Sequence, residues 1–191
     1  MKKIVVFASG TGTNFKVLLD ACKSGEINGE IILLITNKQD IGALKIAEEG
    51  GIESKIISPK TDNYENILYE ILKEIKPDLI CLAGYLLKIP QQILEICPIM
   101  NIHPALLPNY GGKGMYGAKV HQAVLDSGDK TTGVTVHFID EEYDKGKIIL
   151  QEKIEIAKGE TVESLTAKIQ QVEHKIYPKA VKLFCNKKAE I

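Results

Sequence analysis

The sequence predicts an α/β protein on an open sheet, parallel in its N-terminal half and antiparallel in its C-terminal strands, with helices on both faces. Three observations predict it. Short apolar runs alternate with stretches of helical periodicity through about the first hundred residues, the pattern of parallel strands buried on both faces and joined by helical crossovers. In the second half, two strand-like runs flank a polar turn, which reads as a hairpin and hence an antiparallel pair. A long apolar stripe at spacings of three and four closes the chain as a helix. The β-α-β order with right-handed crossovers makes the sheet Rossmann-like.

Each element has its local reason. Ile4-Val5-Val6-Phe7-Ala8 is a continuous apolar run and the first strand. Phe15, Leu18, Leu19 and Cys22 recur at i, i+3, i+4 and i+7, one face of a helix. Ile31–Ile35 is the second strand, Ile41–Glu49 a helix and Ser54–Ile57 the third strand. Asn66–Ile75 is a helix that stops before Pro77, and Leu79–Ala83 is the fourth strand. Pro90–Ile96 is a short helix entered through proline, followed by the strand Ile99–Ile102. Gly111, Gly112, Gly114 and Gly117 make Asn109–Gly117 a flexible loop by composition. Lys119–Asp126 is helical, and the strands Thr132–Phe138 and Ile148–Ile156 flank the acidic turn Asp140–Gly146. Val162, Leu165, Ile169, Val172 and Ile176 form the stripe of the closing helix, with Thr161 as its N-cap. No repeat or linker interrupts the order, so residues 1–191 are expected to be a single domain.

Composition excludes several function classes. The chain has 191 residues, 26 % charged and 45 % hydrophobic, with net charge -1. That length buries a core without staples. Near-zero charge argues against a nucleic-acid partner, whose binding needs clustered Lys and Arg. The basic doublets Lys2-Lys3 and Lys187-Lys188 sit at the chain ends and read as solvated termini. No apolar run reaches the ~18–20 residues of a membrane span, and the apolar start breaks at Ser9-Gly10, as a strand does and a signal peptide does not. Cys22, Cys81, Cys97 and Cys185 are isolated in sequence, which points to a reducing cytoplasm without a disulfide framework or a zinc site.

Two stretches carry candidate chemistry. Ser9-Gly10-Thr11-Gly12-Thr13-Asn14 joins the first strand to the first helix, where glycines allow close approach and free N–H groups attract an anion. A dinucleotide fingerprint would need glycine where Phe15 stands and an acid where the second strand ends in Thr36-Asn37; a triphosphate loop would need Gly-Lys-Ser/Thr. A single phosphate on Gly12, Thr13 and Asn14 fits better, beside the plainer reading of a tight turn with no ligand. Further on, Asn101 and His103 share one face of the fifth strand. An amide and an imidazole together suit a carbonyl oxygen that gains charge, and Asp144 is a candidate carboxylate partner for His103. The plainer readings are a packed histidine and a solvated acidic turn. The four histidines show no metal-ligand spacing.

Five segments then occur in one order at fitting spacing: SGTGTN, LAGYLLKIP, MNIHPALLP, GVTVHFIDEEYDKGKIILQ and QQVEHKIYP. From about Lys3 to Phe184 the chain resembles the glycinamide ribonucleotide formyltransferase family of the folate-dependent formyltransferase superfamily. The Asn-x-His-Pro-x-Leu-Leu-Pro signature is common to the wider superfamily, so it identifies the chemistry better than the acceptor. Relatives acting on tRNA carry an extra C-terminal domain and deformylases an N-terminal one, and 191 residues are expected to leave room for neither.

The resemblance implies transfer of a formyl group from 10-formyltetrahydrofolate to the amine of phosphoribosylglycinamide in purine synthesis, without a metal, by a monomer or homodimer. It makes Asn101, His103 and Asp144 catalytic: Asn101 and a protonated His103 would stabilise the oxyanion, while Asp144 would raise the His103 pKa and orient a proton-shuttling water. Gly12, Thr13 and Asn14 would hold the acceptor phosphate, and Glu173, with Gln170 one turn earlier, the ribose. Thr61, Leu86, Leu87, Lys88, Ile89, Asn101 and the backbone around Ile139, Asp140 and Glu141 would form the folate site. Residues 1–100 would thus be the phosphate-binding half and 101–191 the catalytic and folate half. Three departures stand out. Leu86-Leu87-Lys88-Ile89 replaces a common Met-Arg-Ile-Leu, Lys60-Thr61-Asp62 lacks an arginine often found there, and the loop Asn109–Gly117 is longer than the compact Pro-Gly version. The alternatives are another small amine acceptor, such as a nucleotide amino sugar, and a non-catalytic phosphate-sensing domain.

Overall fold

In the computed structural model, which describes residues 1–186, strands and helices follow the predicted order. They are β1 (Lys2–Ala8), α1 (Thr13–Lys23), β2 (Gly29–Thr36), α2 (Gly42–Gly50), β3 (Ser54–Ile56), α3 (Tyr64–Ile75) and β4 (Leu79–Leu82). Then come α4 (Gln91–Leu94), β5 (Ile99–His103), α5 (Ala118–Ser127), β6 (Thr131–Phe138), β7 (Ile148–Glu155) and α6 (Val162–Cys185). One sheet runs β3-β2-β1-β4-β5-β6-β7, parallel from β3 to β5 and antiparallel at β5/β6 and β6/β7.

Alternation along β1 sends Ile4, Val6 and Ala8 to one face and Val5 and Phe7 to the other. The first face packs on α1, α2, α5 and α6 and the second on α3 and α4. Because the chain returns from the β3 edge to place β4 on the other side of β1, the strand order reverses between β1 and β4. A crevice opens outside the carboxyl ends of the strands at such a point.

Two details differ from the local reading. β1 starts at Lys2, ahead of the apolar run, because Asp78 draws it in: Lys2 Nζ lies 2.7 Å from Asp78 Oδ1 and the Lys3 N–H donates to Oδ2 at 2.8 Å. Lys2-Lys3 is therefore the first rung of a strand and not a solvated end; Lys187-Lys188 lies outside the described residues. The helix after Pro90 is shorter than expected, a single turn.

α6 opens on a capping box: Thr161 Oγ1 accepts from the Ser164 N–H at 3.2 Å and Ser164 Oγ from the Thr161 N–H at 3.0 Å. Near its other end the fully buried Tyr177 donates to Leu82 O (2.9 Å), with Met100 O at 3.1 Å, pinning α6 to the ends of β4 and β5. Among the described residues no helix is long and apolar enough to cross a membrane, and the four cysteines are free.

Candidate active site

The crevice at the strand ends is a cleft of about 670 Å³. β5 supplies Asn101 and His103 to its wall, and the turn between β6 and β7 supplies Asp144, in a left-handed conformation with φ of 57°. Asp144 Oδ2 lies 3.8 Å from His103 Nδ1, and its other oxygen 3.6 Å from Nε2 of His137. The side chains of Asn101, His103 and Asp144 thus meet at one place.

The antiparallel register places His137 opposite Asn101. His137 Nδ1 donates to the Phe138 carbonyl at 2.8 Å, which leaves Nε2 as an acceptor. Asn101 Nδ2 lies 3.3 Å from that nitrogen and donates to it. This bond orients the Asn101 amide, uses one of its two N–H groups and leaves the other for a ligand. Burial lowers the His137 pKa and keeps the ring neutral.

His103 is 3 % exposed, and its Nε2 donates to Tyr110 O at 2.9 Å. Its pKa is lowered: burial outweighs the raising influence of Asp144 and of the Tyr110 carbonyl. The resemblance implies a protonated His103 in the reaction; in the free protein burial favours the neutral form. At rest the imidazole is neutral, with its proton on Nε2 and its basic Nδ1 toward Asp144.

At the other end of the cleft, two bonds tie the start of α1 to α6. Asn14 Nδ2 donates to Glu173 Oε2 and Gln170 Nε2 to Thr13 Oγ1, both at 2.9 Å. Asn14, Gln170 and Glu173 line the cleft, and Asn14 Oδ1 is buried there without a hydrogen-bond partner. Gly12 and Thr13 form the turn into α1, between the cleft-lining Gly10 and Asn14. Gly12 is needed for the turn: its φ is 79°, and a Cβ there would stand 2.6 Å from Ala43 Cα. The Thr13 hydroxyl accepts from Gln170 and keeps its own hydrogen to donate.

Glu173 keeps some exposure, yet burial of its carboxyl raises the pKa to about 7, against the lowering bond from Asn14. Between about pH 4.5 and 7 the folded protein therefore holds a proton that the unfolded chain releases, so stability falls as pH rises through that window. Glu173→Gln, which still offers Asn14 an oxygen, is expected to unfold at a higher temperature than the parent at pH 8, with the gap closing toward pH 5. A gap independent of pH would overturn this assignment.

The remaining walls come from Leu86, Leu87, Lys88 and Ile89 after β4, and from Ile139, Asp140 and Glu141 after β6. Lys88 Nζ lies 5.7 Å from the Tyr143 ring centroid and Gln91 Nε2 3.0 Å from Glu141 Oε1, so these two segments are bridged. Thr61 stands apart from the cleft, in the turn leading to α3, where its N–H donates to Ser58 O. The glycine-rich loop is a wall: Gly112 to Gly117 border the cleft, and the Gly112 N–H donates to Asp144 Oδ2 at 2.9 Å.

Local reasoning missed His137 and His121. His121 is 3 % exposed, borders the cleft and has an unpartnered Nδ1. The local signal for His137 was a histidine near the end of a valine- and threonine-rich strand.

The profile of the formyl transferase family matches residues 2–181. The chain is 40 % identical over 194 residues to a chloroplastic phosphoribosylglycinamide formyltransferase of Arabidopsis thaliana, covering 98 % of this chain and 66 % of that protein. It is 37 % identical to the phosphoribosylglycinamide formyltransferase of Haemophilus influenzae, covering 96 % of this chain and 87 % of the other. The chain therefore spans just under two thirds of the Arabidopsis protein, and 62 % of a Vigna unguiculata counterpart. The crystal structure of glycinamide ribonucleotide transformylase 1 from Symbiobacterium toebii superposes with a TM-score of 0.92 at 36 % identity, over 100 % of this chain and 91 % of that one.

Proposed function

This chain belongs to the formyl transferase family, and we propose that it transfers the formyl group of 10-formyltetrahydrofolate to the amine of phosphoribosylglycinamide, yielding the N-formyl product and tetrahydrofolate in purine biosynthesis. The observation that carries this reading is the meeting of Asn101, His103 and Asp144 in one cleft whose other end offers Asn14, Gln170 and Glu173.

The cleft volume is in the usual range for small-molecule sites, and Leu86, Leu87, Ile89 and Ile139 give it the apolar wall a flat heterocycle needs. These residues, with Lys88 and the backbone of Asp140 and Glu141, would hold the folate, which supplies an activated formyl group. Residues 1–100 contribute the start of α1 to the acceptor end and Leu86 to Ile89 to the folate wall. The second half contributes the catalytic centre, the rest of the folate wall and, through α6, Gln170 and Glu173. The start of α1 presents free N–H groups to the acceptor phosphate, beside Asn14. Glu173 and Gln170 face the ribose, and Asn14 Oδ1 awaits a donor.

Asn101 donates its remaining N–H to the formyl oxygen as that oxygen gains charge. His103, neutral at rest, takes the proton released as the acceptor nitrogen bonds to the formyl carbon. Asp144 stabilises the imidazolium so formed. His103 then gives this proton to the folate nitrogen as the old carbon–nitrogen bond breaks, so no net proton is gained or lost. The scheme uses no metal, and the free thiols suit a cytoplasmic setting.

The test offers purified protein 10-formyltetrahydrofolate with phosphoribosylglycinamide, a nucleotide amino sugar or glycine amide. Formylation of phosphoribosylglycinamide well ahead of the others is expected. Turnover of another amine with phosphoribosylglycinamide inert would overturn the acceptor.

A further inference from the structure

Both members of the His103–Asp144 pair are held by the backbone of one short segment. Tyr110 O accepts from His103 Nε2 and the Gly112 N–H donates to Asp144 Oδ2, each at 2.9 Å. Between them Gly111 fits tightly, since a Cβ there would meet Leu107 Cδ2 at 2.7 Å and Asp144 Cβ at 3.1 Å. Tyr110 itself adopts φ of 57°, a left-handed conformation that a residue with a side chain enters at a cost. Some contact must hold it there.

Its ring packs against the core, and its phenol adds a hydrogen-bonded anchor. Tyr110 Oη donates to Asp129 Oδ2 at 2.5 Å and lies 2.6 Å from Ser127 Oγ. Ser127 is the last residue of α5 and donates to Val124 O at 2.7 Å, while the Asp129 N–H donates back to Ser127 Oγ at 3.2 Å. α5 is seated in the core through the fully buried Val120 and Val124. The phenol is therefore docked on a rigid element, and the Tyr110 carbonyl is placed relative to that element.

A carbonyl only accepts, so the nitrogen facing it must carry hydrogen, and a neutral imidazole has one N–H. The position of Tyr110 O consequently selects the tautomer of His103. We infer that Tyr110 is a positioning residue: docked through its hydroxyl on Asp129 and Ser127, it holds the His103 proton on Nε2 and keeps Nδ1 free beside Asp144. Its catalytic consequence rests on the formyl transfer proposed above, whereas its structural consequence does not.

The experiment records the imidazole ¹⁵N signals of His103 in the labelled full-length protein, identified by their loss in His103→Ala, alongside kcat. Tyr110→Phe removes both docking bonds and Asp129→Ala the one to the carboxylate, weakening the anchor; Asp129→Asn keeps an acceptor there. The unsubstituted protein is expected to show the Nε2–H tautomer. Tyr110→Phe and Asp129→Ala are expected to shift it toward a mixture and to lower kcat about five- to tenfold, the factor expected for one lost hydrogen bond. Asp129→Asn restores both. Unchanged ¹⁵N signals in the two disrupting variants would overturn the inference, as would a kcat loss no larger than their loss of folded protein. Should Tyr110→Phe fail to fold, the Asp129 pair decides alone. Absence of formyl transfer by the unsubstituted protein would count against the proposed reaction, while the ¹⁵N signals would still decide the role of Tyr110.

Discussion

Replacing His103 with alanine is expected to lower kcat by roughly 10²–10³ while acceptor binding is largely kept. That range is the scale for one group acting on charge developed in the transition state, and proton transfer by a positioned side chain contributes about 10²–10⁴-fold. Binding survives because His103 stands at the catalytic end of the cleft, and the acceptor phosphate and ribose are assigned to the Asn14–Glu173 end. The substitution also strips Tyr110 O of its donor, which costs about 1–3 kcal/mol if the carbonyl stays buried, so thermal unfolding is measured in parallel. His103→Gln serves as a second variant of similar reach. Initial rates with both substrates decide the matter. An unchanged rate would favour a phosphate-sensing domain and remove the imidazole from the chemistry.

Asp144→Asn is expected to lower kcat by about 10- to 100-fold and to shift the acidic limb of the pH–rate profile to lower pH. The two effects share one cause. Asp144 is the acid nearest His103, its Oδ2 3.8 Å from Nδ1, and it favours the imidazolium that forms during proton transfer. Each factor of ten in rate corresponds to 1.36 kcal/mol of lost stabilisation. The neutral imidazole is the working base, so activity disappears as pH falls through the His103 pKa. Burial already lowers that pKa and Asp144 opposes the lowering; without the carboxylate the pKa drops further, and activity persists to lower pH. His121 and His137 border the same group, but burial lowers both their pKa values as well. Asparagine still accepts from the Gly112 N–H, which preserves the loop. A limb that stays in place would remove Asp144 from the mechanism.

Much of the fold was legible because its signals are local. Val5 and Phe7 alternate with Ile4 and Val6 within a single strand, and Leu165, Ile169, Val172 and Ile176 repeat within a single helix. Thr161 announced the start of α6 four residues ahead of the first buried leucine. The strand carrying Asn101 and His103 was equally plain. What blurred were element ends decided by distant partners, such as the start of β1, which Asp78 sets from 75 residues away.

The candidate site was legible in its residue types and less so in its arrangement. That Gln170, 157 residues on, donates to the Thr13 hydroxyl could not be read from the loop alone. Gly12 was noticed for ligand approach, yet its lack of a side chain serves the contact with Ala43. His137 lies within the quoted GVTVHFIDEEYDKGKIILQ segment, but its relation to Asn101 exists only in the antiparallel register of β5 and β6.

By itself, then, the sequence determined the order of strands and helices and which strand end bears the amide and the imidazole, since periodicity and turn chemistry act between near neighbours. Only the tertiary structure decided that His137 orients Asn101, that His103 rests neutral, and that the glycine loop grips both His103 and Asp144. Strand register and desolvation depend on atoms from remote parts of the chain, and no short stretch of residues encodes them.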